Sequence, residues 1–193
     1  MLSRSGVLFV AMTAAVLALS VMPLDAQDKP EQPQIVPRAA WGAKPANGSL
    51  MSKQSPHAIV VHHTSSRQQP KLSLEKKLRG LQNFSQSPGK VGNHDKPAWG
   101  DVPYHFYIDV SGRIGEGRDL SFSGDTNTDY DAGDKIQIVV EGNFEREEPS
   151  AGQRESLTRL VAWLAAEYGV AADKIDGHND FAATDCPGKT LRF

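Results

Sequence analysis

The sequence predicts a single α/β domain with a central mixed β-sheet flanked by α-helices. Two short apolar runs, Ala58–Val61 and Ile136–Val140, have the length and the β-branched composition of buried strands. Two longer segments, beginning near Ser73 and Ser150, repeat leucines on one helical face. Strands interleaved with helices in this way are typical of α/β domains.

The strands follow one another along the chain. Ala58–Val61 is the first, and Tyr104–Val110 followed by residues 113–117 predicts a hairpin that turns at Ser111 and Gly112. Ile136–Val140 is almost entirely apolar, which indicates a strand in the middle of the sheet. Residues 174–176 are predicted to form a short edge strand.

Both predicted helices carry recognisable end signals. Ser73 can cap the first helix, and Ser150 with Gln153 forms a capping box at the start of the second. The second helix is predicted to stop at Gly169. Residues 85–100 are rich in glycine and proline and show no periodicity, so we predict a long loop there.

The amino-terminal segment has the pattern of a secretory signal. Arg4 precedes an apolar run that is shorter than the roughly 20 residues a membrane-spanning helix needs, and Ala26 is a suitable residue for cleavage. We therefore expect a signal peptide at residues 1–26, a proline-containing linker at 27–37 and one domain at 38–193. The expected location is extracytoplasmic, either periplasmic or secreted, with no membrane span after cleavage.

The overall charge excludes some classes of partner. With 21 basic and 23 acidic residues the formal net charge is −2. A protein of this balance is not expected to bind nucleic acid or to adhere electrostatically to a membrane.

Cys186 is the only cysteine of the chain. A lone thiol in an exported protein cannot form an intramolecular disulfide, which favours a thiolate held by a metal ion. His178 precedes Cys186 in the same predicted loop, and His62 ends the first predicted strand. Two imidazoles and one thiolate form a three-ligand zinc set with one position left for water. The alternatives are a buried apolar cysteine and ordinary hydrogen-bonded histidines.

Three further residues are candidates near such a site. His63 follows His62, but adjacent side chains of a strand point to opposite faces, so only one of the pair can face the metal. Tyr104 could donate a hydrogen bond to a developing oxyanion, or it could be an ordinary strand residue. Thr184 could bond water or substrate, or it could cap its loop.

These segments together resemble the zinc-dependent N-acetylmuramoyl-L-alanine amidases of type 2, and especially the peptidoglycan recognition proteins. The resemblance extends over nearly all of the chain after residue 37. Its segments are PRAAWGA at 37–43, VVHHT at 60–64, WGDVPYHF at 99–106, IGEGR at 114–118, EGNF at 141–144, GH at 177–178 and TDCPG at 184–188.

The resemblance implies zinc bound by His62, His178 and Cys186, with Tyr104 and Thr184 as catalytic neighbours. It implies hydrolysis of the amide bond between N-acetylmuramic acid and L-alanine. Peptidoglycan or muropeptide fragments would be the partners of what we expect to be a monomer.

Two alternatives to the amidase stay open at this point. One is a module that binds peptidoglycan without cutting it, and the other is a zinc hydrolase that acts on a different amide. The chain has no HExxH sequence and no G-x-S-x-G sequence, which argues against one large class of metallopeptidases and against the common serine hydrolases.

Overall fold

The computed structural model describes residues 29–191. In chain order the strands are β1 (Ile35–Val36), β2 (Ala58–His63), β3 (Gly89–Val91), β4 (His94–Lys96), β5 (Phe106–Ile108), β6 (Ile114–Glu116), β7 (Lys135–Val140) and β8 (Ile175–Gly177). The α-helices are α1 (Arg38–Trp41), α2 (Leu74–Ser85) and α3 (Ala151–Tyr168). The predicted signal peptide, residues 1–26, lies outside the described residues.

Six strands form the central sheet, in the order β1-β6-β5-β7-β2-β8. The β5 and β6 strands pair in antiparallel fashion as a hairpin, whereas the other neighbouring pairs are parallel. This confirms the predicted mixed sheet and the inner position of β7. The β2 and β7 strands pair along their whole length, from Ala58 opposite Lys135 to His63 opposite Val140.

Helices cover both faces of the sheet. Alternate residues of β2 and β7, such as Val61 and Ile138, pack with leucines of α3 in the larger core cluster. On the other face, Val139 packs with Trp41 of α1 and with two leucines of α2. His62 and Gln137, which alternate with the first set, therefore project from the face that α1 and α2 cover.

The predicted helix ends are confirmed. The Ser73 hydroxyl accepts a hydrogen bond from the Lys76 backbone N–H at the start of α2. At the start of α3, Ser150 and Gln153 make both bonds of the capping box. The helix ends at Gly169, whose φ of 64° is a left-handed conformation that glycine adopts without steric cost.

The predicted irregular loop at 85–100 is corrected by the structure. It contains the hairpin of β3 and β4, which lies apart from the central sheet. The buried Lys96 ammonium holds this hairpin by donating hydrogen bonds to three backbone carbonyls, those of Ser85, Ser87 and Pro97. The sequence shows no periodicity here because each strand is only three residues long.

The strand predicted at 104–110 is shorter than expected, spanning Phe106–Ile108. Pro103 has no N–H to offer a ladder at the start. At the other end, the Asp109 carboxylate accepts hydrogen bonds from the backbone N–H groups of Ser111 and Arg113, which closes the turn. Tyr104 consequently lies before the strand rather than within it.

The last residues of the predicted linker take part in the fold. Ile35 and Val36 form β1 and pair with Ile114 and Gly115 at the sheet edge. Lys29 forms an ion pair with Glu167 of α3 at 2.5 Å. Within residues 29–191, no helix combines the length and the apolar character that crossing a bilayer requires.

The buried His105 should make the fold sensitive to acid. Its Nδ1 accepts a hydrogen bond from the Gln137 N–H, and its Nε2 lies 2.8 Å from the Phe122 carbonyl oxygen. Burial lowers the pKa of His105 from 6.5 to about 4, so the unfolded chain binds an extra proton between these values. The contribution of His105 to the free energy of unfolding is therefore complete above pH 6.5. It is lost as the pH falls from 6.5 through 4, by about 3 kcal/mol in all.

The substitution His105→Gln isolates this contribution. Denaturant titrations give the free energy of unfolding at each pH. Between about pH 7 and about pH 4.5 this free energy should fall more for the wild type than for the variant, because the glutamine amide does not titrate there. Equal losses in the two proteins would show that His105 does not carry the effect.

Candidate metal centre

Three side chains that the sequence singles out lie together at one end of the sheet. A donor atom from each of His62, His178 and Cys186 falls within 4.8 Å of the other two, and all three residues are buried. His62 Nδ1 lies 3.6 Å from the Cys186 Sγ atom, and the two imidazole rings are 4.6 Å apart. We refer to these three residues as the donor cluster.

Strand pairing places the two histidines of the donor cluster next to each other. The β8 strand pairs in parallel with β2, with Gly177 opposite Val61. His62 follows Val61 and His178 follows Gly177, so both imidazoles emerge at the same end of neighbouring strands. His178 then begins a short 3-10 helix, His178–Asp180.

Backbone contacts hold Cys186 against the end of β2. The His63 N–H donates a hydrogen bond to the Cys186 Sγ atom at 3.3 Å. Gly188 packs against Phe144 so closely that a Cβ there would lie 2.5 Å from the Phe144 carbonyl carbon. Because residue 188 has no side chain, the loop that carries Cys186 can approach the sheet closely. This approach brings the Cys186 thiol to His62 and His178.

His63 points away from the donor cluster, as the strand alternation predicts. Its Nδ1 accepts a hydrogen bond from the Phe144 N–H, and its ring lies 6.2 Å from the Phe144 ring. The first histidine of the pair is therefore the one that joins His178 and Cys186.

Burial controls the protonation of the donor cluster. Removal from water, followed by the proximity of His178, lowers the pKa of His62 to about 3. Burial lowers the pKa of His178 to about 4 and raises the pKa of the Cys186 thiol to about 12. At neutral pH the cluster therefore presents two uncharged imidazoles and a protonated thiol.

This donor set fits zinc. Neutral imidazole nitrogens and a thiolate are ligands that zinc binds well, and three protein ligands leave a fourth position for water or substrate. Calcium and magnesium prefer oxygen ligands, which the donor cluster does not contain.

Both histidines have partners that sequence reasoning missed. His62 Nε2 lies 2.6 Å from Gln137 Oε1, and His178 Nε2 lies 2.6 Å from the Thr128 hydroxyl. From the sequence, Asp180 and Asp185 are candidates for orienting a ligand histidine, although a solvated loop acid is the favoured interpretation of each. Asp180 instead accepts a hydrogen bond from the Gly177 N–H, and Asp185 is exposed. The signal that could have revealed Gln137 is its position as a polar residue inside the otherwise apolar run 136–140.

Two tyrosines flank the donor cluster. The Tyr104 ring lies 5.2 Å from the His62 ring, and burial, with the nearby Cys186, raises the pKa of its phenol. Tyr130, which the sequence did not single out, lies 5.1 Å from the His178 ring. The Tyr130 hydroxyl donates to Gln137 Oε1 at 3.1 Å.

Thr184 lies on the loop that carries Cys186. Its hydroxyl oxygen accepts a hydrogen bond from the Cys186 backbone N–H at 3.2 Å, which is the loop-capping alternative. The hydroxyl hydrogen is not used in that bond.

A cavity of about 790 Å³ lies elsewhere, against Phe106 and Trp163, and none of the donor cluster lines it.

The fold and the site define a single-domain α/β protein with a buried His-His-Cys cluster at the end of its sheet. Residues 52–189 match the family model described as N-acetylmuramoyl-L-alanine amidase. The chain belongs to this family.

Relatives carry two kinds of name. Peptidoglycan-recognition protein SD of Drosophila simulans is 30% identical over 164 residues, which cover 81% of either chain. The human N-acetylmuramoyl-L-alanine amidase is 26% identical over 165 residues, covering 82% of this chain and 27% of that protein. The chain is thus similar both to proteins named for recognition and to proteins named for amide hydrolysis.

Solved structures give the same division. The crystal structure of Drosophila peptidoglycan recognition protein SD superposes with a TM-score of 0.69 at 27% identity, covering 83% of this chain and 92% of that one. An endolysin N-acetylmuramoyl-L-alanine amidase from Clostridium intestinale superposes with a TM-score of 0.60 at 26% identity, covering 83% and 91%. These likenesses confirm the α/β fold predicted from the sequence.

Proposed function

We propose that this protein is an exported, zinc-dependent N-acetylmuramoyl-L-alanine amidase. It would cleave the amide bond between the lactyl group of N-acetylmuramic acid and the L-alanine of the stem peptide. The observation that carries the proposal is the donor cluster, with a partly buried phenol, Tyr104, beside His62. A protein that only bound peptidoglycan would not need a buried thiol beside two imidazoles.

The metal in this proposal is held by His62, His178 and Cys186. When bound, zinc supplies Lewis-acid activation of water and of the scissile carbonyl. The burial that keeps the imidazoles uncharged at neutral pH also keeps them in the form that binds metal.

Tyr104 and Thr184 would act on the substrate. Because the pKa of Tyr104 is raised above its usual value, its phenol keeps its proton at neutral pH and can donate it in a hydrogen bond. A donor aimed at the carbonyl oxygen stabilises the negative charge that develops there as the amide is attacked. Thr184 can donate its free hydroxyl hydrogen to water or to the substrate while it accepts the Cys186 N–H.

The test is mass spectrometry of the soluble products after the mature protein meets purified peptidoglycan, with and without a chelator. We expect free stem peptides that begin with L-alanine, their loss on chelation and their return with zinc. Intact wall with the protein bound to it would favour the alternative function, a peptidoglycan-binding module.

Zinc affinity should rise with pH, by about one log unit per pH unit between about pH 5 and pH 6, below the pKa of about 7 at which zinc-bound water ionises. The reason is that binding requires the Cys186 thiolate, whereas burial raises the pKa of the metal-free thiol to about 12. The histidines, with pKa values of about 3 and 4, are already neutral in this range and add no proton.

Competition with a chromophoric chelator at several pH values measures this dependence. Calorimetry in buffers of different ionisation enthalpy should give about one proton released per zinc bound. An affinity that did not change with pH would show that the thiol is not a ligand.

A further inference from the structure

One side chain next to the donor cluster has no assigned role. Gln137 lies in the middle of β7, is 1% exposed and places its Oε1 atom 2.6 Å from His62 Nε2. Among residues 29–191, its own Nε2 atom is buried without a hydrogen-bond partner. A buried amide with an unsatisfied donor reduces stability, so packing alone does not explain a glutamine at this position.

The contact between Gln137 and His62 selects one form of the imidazole. A neutral imidazole carries one hydrogen, on either Nδ1 or Nε2. An acceptor oxygen at Nε2 fixes the hydrogen there and leaves the lone pair of Nδ1 free. That Nδ1 atom is the one that lies 3.6 Å from the Cys186 Sγ atom, within the donor cluster.

The loop between β6 and β7 contacts the Gln137 amide. Tyr130, in this loop, donates its hydroxyl hydrogen to the same Oε1 atom at 3.1 Å. In this arrangement Oε1 lies within hydrogen-bonding distance of both the Tyr130 hydroxyl and His62 Nε2. Stacking of Tyr130 on Phe181, with ring centroids 5.7 Å apart, supports the position of the hydroxyl.

The same loop leaves room for the glutamine. A Cβ atom at Gly124 would lie 2.6 Å from Gln137 Cγ and 2.7 Å from the Pro103 carbonyl oxygen. The loop therefore passes directly over Gln137, and residue 124 must lack a side chain for the two to coexist. Gly124, Tyr130 and Gln137 form one packed unit behind His62.

We propose that Gln137 is a positioning residue that holds the Nε2–H of His62 and so presents Nδ1 to the metal. The inference rests on the proposed zinc site. Hydrogen bonds of this kind to ligand histidines orient the ring and raise its basicity. Gln137 thus lowers the stability of the metal-free fold and raises its affinity for the metal.

The test compares zinc binding by the wild type, Gln137→Met and Gln137→Glu, using competition with a chromophoric chelator. Methionine has a similar length but no acceptor oxygen, so zinc affinity should fall by roughly 10–100-fold. Glutamate keeps an acceptor oxygen and should bind zinc at least as tightly as the wild type. The melting temperature of metal-free Gln137→Met should be equal to or above that of the wild type.

A second readout reports the imidazole directly. In the zinc-loaded wild type, long-range ¹H–¹⁵N spectra should show the hydrogen of His62 on Nε2 and the metal on Nδ1. Retention of wild-type zinc affinity by Gln137→Met, or a His62 that carries its hydrogen on Nδ1, would overturn the proposal.

Gln82→Met is the matched control. Gln82 is also 1% exposed, but its amide donates to Asp101 Oδ1 and to the Lys44 carbonyl, and it contacts no member of the donor cluster. This variant should lower the melting temperature and leave zinc affinity unchanged. If the wild type itself bound no zinc, the proposed function would fail rather than the role of Gln137 alone.

Discussion

Replacing Cys186 with serine is expected to lower amide hydrolysis by roughly a thousandfold or more, because the metal chemistry is lost with the thiolate. Serine is nearly isosteric but stays protonated near neutral pH and binds zinc poorly. Zinc bound after dialysis should fall from one equivalent to near zero. Peptidoglycan binding should persist, because the thiol is only 8% exposed and offers little surface to a ligand.

The control for this prediction is a histidine outside the donor cluster. His178→Gln should lose activity as Cys186→Ser does, whereas His57→Gln should keep it, since His57 is exposed and lies beside Asp134. Assays are hydrolysis of purified muropeptides and metal analysis of each protein. Full hydrolysis by Cys186→Ser would mean that the thiol takes no part in the reaction.

Replacing Tyr104 with phenylalanine is expected to lower kcat by about 100- to 1000-fold with little change in KM, because the lost donor acts mainly on the transition state. The ring that packs 5.2 Å from His62 would remain, so zinc affinity should not change. Steady-state kinetics on a defined muropeptide, with metal analysis, would separate the two effects.

Tyr168→Phe serves as the matched control for the hydroxyl. Tyr168 ends α3 and packs against the core on the sheet face away from the donor cluster, so this variant should keep wild-type kcat. If Tyr104→Phe also kept wild-type kcat, the oxyanion would need another donor, and Thr184 would be the next hydroxyl to replace.

Much of the fold could be predicted because local patterns and tertiary packing agree. The buried β2 and β7 strands are short apolar runs, and α3 has both a capping box and a terminal glycine. The β3–β4 hairpin could not be predicted in this way. Each of its strands has only three residues, which is too short to show a periodic pattern. The hairpin is held by hydrogen bonds from the Lys96 ammonium to backbone carbonyls, and such contacts leave no periodic pattern in the sequence.

The donor cluster was predictable by residue type, and its surroundings were not. A lone cysteine and two histidines, in a chain that we expect to be exported, point to a metal whichever way the strands pair. The partner of His62 is 75 residues away in sequence, and only the alignment of β2 with β7 brings Gln137 to it. The Thr128 contact to His178 depends on the path of an irregular loop, for which no periodic signal exists.

In the proposed function, the donor cluster holds one zinc ion on which hydrolysis depends. The most direct measurement is to strip the protein of metal, add zinc stepwise and follow both metal content and cleavage of a muropeptide. We expect activity to return in proportion to bound zinc and to saturate at one ion per chain, with free peptide beginning at L-alanine. Stoichiometric zinc binding without any cleavage, or full cleavage by the metal-free protein, would contradict it.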